Sequence, residues 1–184
     1  MKRLMAAALV AVMGIGVVAG VTAFASTNKQ NDDVILMIYQ SMSGDADTGL
    51  SKFSADGGSI INKNGDIFFV NNTATDISLS DVDITNNGDG AFLCAAAAGW
   101  GKDGSNGGKV NLTASSQKID GDMLVDDISV LNLYLKEGSA FTGAVNPDGK
   151  AGDVYIELTD GSKWTLTDDS YIKSLTCDTD SINM

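Results

Sequence analysis

The chain has 184 residues, with 24 acidic against 12 basic side chains, a formal charge of −12 and no histidine. Its single arginine is Arg3, so the rest of the chain lacks both imidazole and guanidinium chemistry. That excludes a phosphate-binding nucleic-acid interface, any Ser-His or Cys-His nucleophile, and zinc sites of the histidine type.

Lys2 and Arg3 precede an apolar run from Leu4 to Phe24, which ends in Ala23-Phe24-Ala25 before Ser26. This reads as a secretory signal peptide over residues 1–25, cut after Ala25. The run is long enough to cross a bilayer, but its glycines and its cleavage site favour removal. A secreted or cell-surface protein with no stable membrane span is therefore expected. Removing Lys2 and Arg3 makes the charge more negative by two.

Residues 26–36 form an N-terminal segment, and the remainder fits one domain. From residue 34 onward, short β-prone runs alternate with clusters of Gly, Asn, Asp and Ser, and no stretch keeps a helical period. The spacing predicts strands at 34–39, 51–53, 60–61, 67–70, 77–79, 82–84, 91–95, 109–113, 119, 123–125, 130–135, 141–145, 154–158, 163–166 and 171–172. Residues 95–108, Ala-Ala-Ala-Ala-Gly-Trp-Gly-Lys-Asp-Gly-Ser-Asn-Gly-Gly, read as a loop that leaves this pattern and returns.

Late in the chain the pattern repeats. Residues 133–142, Leu-Tyr-Leu-Lys-Glu-Gly-Ser-Ala-Phe-Thr, recur at 156–165 as Ile-Glu-Leu-Thr-Asp-Gly-Ser-Lys-Trp-Thr. A fixed period of strand-like alternation without intervening helix is the signature of a β-solenoid, in which each copy forms one coil. The fold class is therefore all-β: a single-stranded parallel β-helix of about six coils over residues 37–175, with 176–184 as a C-terminal tail.

Extending the same step backward aligns Val110 and Leu112 with Leu133 and Leu135. Inward-facing ladders of Val110, Leu133 and Ile156, and of Leu112, Leu135 and Leu158, are expected, with Phe141 stacked on Trp164. Gly138, Gly161 and the pairs Asn71-Asn72 and Asn86-Asn87 are expected at corners that need positive φ. Cys94 and Cys177 fall about three coils apart, too far for a disulfide, so two separate thiols are expected, Cys94 as a small core residue.

Several stretches carry a resemblance: 39–46 (Tyr-Gln-Ser-Met-Ser-Gly-Asp-Ala), 65–70 (Gly-Asp-Ile-Phe-Phe-Val), 99–108, 119–122 (Ile-Asp-Gly-Asp), 162–167 (Ser-Lys-Trp-Thr-Leu-Thr) and 170–172 (Ser-Tyr-Ile). Over about Ile38 to Leu175 the chain resembles secreted bacterial right-handed parallel β-helix proteins, pectate-lyase-like in fold and described as adhesins or carbohydrate-binding surface proteins. The resemblance implies right-handed winding and a non-enzymatic binding or adhesion role toward carbohydrate or another cell-surface ligand. Such proteins begin with further coils, whereas here the signal peptide leads almost directly into the Tyr39 segment. An uncapped first coil offers unpaired backbone groups, so end-to-end self-association is expected, and a purely structural module is a further alternative.

Carbohydrate recognition needs aromatic faces for the sugar ring and polar groups for its hydroxyls. Trp100 in its glycine-rich loop is the leading platform, with Asp103 and Asn106 beside it and Tyr39 as a second aromatic. Pinning the loop to the scaffold is the competing role for Trp100. For calcium, the acid-rich corners Asp45-Asp47, Asn86-Asp89 and Asp120-Asp122 present hard oxygen ligands, against the plainer reading that they are solvated turns. A reduced polysaccharide lyase with calcium-dependent activity is the enzymatic alternative. Its proton-abstracting base would have to be a lysine, with Lys102, Lys109, Lys118 and Lys136 the candidates.

Overall fold

The computed structural model describes residues 34–40, 49–149 and 152–184; the signal-peptide segment and the pair Asp45 and Asp47 lie outside the described residues. All regular structure among the described residues is β-strand, and every strand pairing is parallel. The chain opens with β1 (Leu36–Tyr39), β2 (Leu50–Asp56) and β3 (Ser59–Asn62), and continues through β4 (Phe68–Asn71), β5 (Ala74–Ser80) and β6 (Asp83–Asn86). Next come β7 (Leu93–Ala95), β8 (Lys109–Ser115) and β9 (Lys118–Asp120), then β10 (Met123–Val125), β11 (Val130–Lys136) and β12 (Ala140–Thr142). It closes with β13 (Asp153–Leu158), β14 (Lys163–Thr165), β15 (Ser174–Thr176) and β16 (Ile182–Asn183).

These strands sort into three positions that the chain visits in rotation. The first sheet has the order β1-β4-β7-β10 and is continued by a bridge between Met123 and Val145. The second, the widest, runs β2-β5-β8-β11-β13-β15. The third position holds the pair β3-β6 and the sheet β9-β12-β14-β16. Each strand thus pairs with those one turn earlier and one turn later, the connectivity of a β-solenoid, with which the all-parallel fold is consistent. Pairing runs on to Asn183, so the expected C-terminal tail is part of the sheets.

Alternation decides what faces inward. In β8 the side chains of Val110, Leu112 and Ala114 are buried and those between them are not. Their neighbours one turn on are Leu131, Leu133 and Leu135, and then Val154, Ile156 and Leu158. The step from β11 to β13 is the expected one, with Leu133 beside Ile156. The step from β8 to β11 is two residues shorter, so Leu112, not Val110, lies beside Leu133, and Leu135 meets Ala114. A two-residue slip keeps every side chain on its original face, so the hydrophobic pattern alone cannot detect it.

Aromatic packing fills the interior at both ends. Phe68 meets Phe53 edge-on at 5.5 Å between ring centroids and Phe92 at 5.7 Å. Phe141 stacks on Trp164 at 5.6 Å and 17°, as the repeat predicts, and Trp164 Nε1 donates to the Gly143 carbonyl at 2.9 Å.

The turn out of the second sheet has a recurring device. One residue shortly after each strand from β2 to β13 takes positive φ: Gly57, Asp81, Ser116, Glu137 and Asp160. Gly138 and Gly161 are left-handed as expected, but each follows a non-glycine residue that is left-handed too, which composition does not reveal. Asn72 has a φ of 51°, whereas Asn86 does not turn the chain but links turns: Asn62 Nδ2 donates to Asn86 Oδ1 at 2.9 Å and to the Gly65 carbonyl at 2.6 Å. At the corner leading into the first sheet, Gly90 lies directly on the Gly65 backbone and Gly143 on that of Gly121, leaving no room for a Cβ.

Cys94 departs from expectation. It sits mid-strand in β7 between buried Leu93 and Ala95, so its side chain points outward, in register with Phe69 and Leu124 on the neighbouring strands. Both cysteines are free thiols of intermediate burial.

Candidate functional site

Connections from the first sheet to the second differ more in length than those at the other corners: residues 40–49, 72–73, 96–108 and 126–129. The longest of these connections within the described residues is the 96–108 excursion, which stands on this edge of the molecule. Its two ends are tied to the preceding turn, with the Ala96 amide donating to the Val70 carbonyl at 3.1 Å and the Lys109 amide to the Thr73 carbonyl at 2.9 Å.

Polar side chains hold the excursion in shape. Asn106 is buried, and its Nδ2 donates to the carbonyls of Ala98 at 2.9 Å and Trp100 at 2.8 Å. Asn71 Nδ2 donates to the carbonyls of Ala96 at 3.0 Å and Asn106 at 2.9 Å. Asp126, one turn later, accepts from the Ala97 amide at 2.6 Å through Oδ2. Gly101 has no space for a side chain against Asn72 and Asn106. The two side-chain N–H groups thus span the loop and fix its backbone, while the buried Oδ1 atoms of Asn71 and Asn106 accept no hydrogen bond from the protein.

Trp100 rests on Tyr39 of β1, with ring centroids 5.3 Å apart and the planes tilted by 31°. At 36 % exposure the indole both closes the loop onto β1 and remains open to solvent. Asp103 is exposed on the same loop. Of the four residues expected to meet a ligand, Trp100, Tyr39 and Asp103 are accessible, and Asn106 is a buried clamp beneath them. Sequence reasoning did not single out Asn71, Asn72 or Asp126 as supports. Their partners lie 25 to 35 residues away, so nothing local marks them.

A second feature lies at the corner between the third position and the first sheet. Asn86, Asp89, Asp120 and Asp122 share a cleft of about 350 Å³ with Gly88, Gly90, Ala91, Gly121 and Leu124. Two of the four are partly committed. Asn86 Oδ1 accepts from Asn62 and from the Gly88 amide, and Asp122 Oδ1 accepts from the Ala144 amide at 2.8 Å. Asp89 and Asp120 are exposed. Among the described residues no three acidic or thiol side chains converge closely enough to hold a metal ion. The cleft concentrates negative charge on solvent-facing groups, an arrangement that attracts cations without enclosing them.

Asp66 is a half-buried relative of Asp122, its Oδ1 accepting from the Ala91 amide at 2.8 Å. Burial raises its carboxyl above the usual aspartate range, and that hydrogen bond pulls partly back. Burial, then the charges of Asp66 and Asp126, push the Cys94 thiol up to about 12. No family model, curated protein or solved structure matches the chain.

Proposed function

We propose that this is a secreted or cell-surface, non-enzymatic binding protein, a right-handed parallel β-helix of the pectate-lyase-like adhesin kind, which takes carbohydrate at the edge formed by Trp100 and Tyr39. One observation carries the reading: Trp100 remains 36 % exposed although Asn106, Asn71 and Asp126 hold its loop in a fixed form. A tryptophan needed only as a pin would gain by burying itself fully. A pre-shaped aromatic face instead offers the C–H side of a sugar ring a surface whose ordering cost is met during folding. Exposed Asp103 supplies an acceptor for hydroxyl groups at its rim.

The lyase alternative finds less support in the geometry. Lys102 is on the Trp100 loop, and Lys109, Lys118 and Lys136 belong to β8, β9 and β11, whereas the acidic cleft is lined by Asn, Asp, Gly, Ala and Leu. No lysine is among the residues that line this cleft, which favours binding over proton abstraction there. Calcium is proposed only as a loosely held counter-ion of the acidic cleft that aids binding, since no three acidic side chains among the described residues converge to enclose it.

The test is a glycan array probed with the secreted chain, with and without calcium. Trp100→Ala is expected to weaken the strongest signal tenfold or more while the far-ultraviolet circular dichroism stays unchanged, and Trp100→Phe to retain part of it. Equal binding by Trp100→Ala and the parent chain would remove the reading.

A further inference from the structure

We propose that two copies of the chain pair through the free edge of β2, antiparallel and about a two-fold axis at Ser54, a surface independent of the glycan reading. β2 ends the six-stranded second sheet: it pairs with β5 on one side, and no strand among the described residues pairs with the other. Which backbone groups face the gap follows from two hydrogen bonds. The Gly57 amide donates to the Ser80 carbonyl at 2.7 Å, and the Ser51 carbonyl accepts from Thr75 Oγ1 at 3.2 Å. Odd-numbered residues therefore turn their N–H and C=O toward β5. By alternation Lys52, Ser54 and Asp56 turn theirs toward the open edge.

Side chains tell the same story. Phe53 and Ala55 point inward yet are only partly buried, although their register partners Ile77 and Leu79 are fully covered. Leu50 at the start of the strand is 53 % exposed. An open edge of this length, with apolar side chains showing at its end, is a template for another strand.

A second copy fits it in one register. With the axis at Ser54, Lys52 of each copy stands opposite Asp56 of the other, and Phe53 opposite Ala55. Edge-facing groups then meet edge-facing groups, so the hydrogen bonds close. An axis at Lys52 would oppose two ammonium groups, an axis at Asp56 two carboxylates, and an axis at Phe53 would leave neither charge with an opposite partner. Opposite charges directly across an antiparallel pair stabilise it and like charges oppose it, so the charge order selects the Ser54 register. Lys52 stands 3.5 Å from Asp76 on the β5 side, and its side chain is 64 % exposed, so the pairing asks it to swing across β2 to the open edge. At the far end of the sheet the edge strand β15 spans only Ser174–Thr176, so a head-to-tail filament has a much shorter strand to offer than β2 offers itself. A two-fold contact also closes, giving a dimer and no further growth.

Sedimentation velocity across a wide concentration range, combined with residue-level hydrogen exchange, tests this. A monomer–dimer equilibrium is expected, in which the amides of Lys52, Ser54 and Asp56 gain protection only as dimer forms, while those of Phe53 and Ala55 are protected throughout. Lys52→Asp should weaken the dimer roughly tenfold, and adding Asp56→Lys should restore it, with the circular dichroism of both variants matching the parent. A monomer at every concentration, protection of Lys52, Ser54 and Asp56 at high dilution, growth beyond two copies, or a double reversal that fails to restore pairing would each overturn the proposal.

Discussion

Cys94 illustrates how a side chain's parity in a strand sets its chemistry. It faces outward between Phe69 and Leu124, half-buried and near the carboxylates of Asp66 and Asp126, and its thiol is pushed up to about 12. Only the thiolate is nucleophilic, so at neutral pH the reactive fraction is about a thousandfold below that of an ordinary cysteine. Alkylation by iodoacetamide, followed by peptide mass mapping of the folded chain, should be slower at Cys94 by a similar factor than in the unfolded chain. Labelling at the unfolded rate would show that the residue is not where the fold puts it. The sequence could not supply this parity. Ala91-Phe-Leu-Cys-Ala95 is an unbroken apolar run without alternation, so nothing in it says which members face in. Trp164, by contrast, was readable as core because its repeat partner is Phe141, and an aromatic pair recurring at one position is hard to explain on a surface.

Among elements, pairing of β11 with β13 was legible and pairing of β8 with β11 was not. The first is marked by seven matching side-chain types over ten residues. The second rests on two aliphatic residues, which fit either of two registers with the same face inward. A cross-link separates them. Asn111 and Asn132 are register partners, with Asn132 Nδ2 donating to Asn111 Oδ1 at 2.9 Å, and they continue a row from Asp76. Asn111→Cys with Asn132→Cys is expected to form a disulfide under mild oxidation, visible as a mobility shift on a non-reducing gel. Asn111→Cys with Tyr134→Cys, the pair that the longer step would bring together, should stay reduced. The reverse result would restore the uniform period. The acidic residues show the same division: composition identified Asn86, Asp89, Asp120 and Asp122, and their meeting in one cleft needed the third dimension, since 30 residues of chain, including the Trp100 loop, separate Asp89 from Asp120.

At the scale of the whole molecule, contacts run between successive turns and little reaches further, so local stability should follow position along the stack. Strands β8 and β11 have long neighbours on both sides, with seven paired residues between β5 and β8, seven between β8 and β11, and six between β11 and β13. Leu175 in β15 is partly exposed, and β16 contributes only Ile182–Asn183. Amide exchange is expected to be slowest in β8 and β11 and to quicken toward β15 and β16. Uniform protection from β5 to β16 would mean that the chain opens only as a unit. Strand content and parallel stacking were legible from the short β-prone runs and the repeat. The rotation through three positions was less so, because its shortest strands, such as β16, carry too few residues to register as a pattern. The tethering of Ala96 to Val70 and of Lys109 to Thr73 has a practical consequence. The excursion leaves and rejoins the frame at points only three residues apart on the turn below, and β8 is registered by its own ladder. The segment from Ala97 to Ser105 is thus an exchangeable cassette, where a foreign peptide could be displayed with both ends clamped while Asn106 keeps its bonds to Asn71 and Asn72.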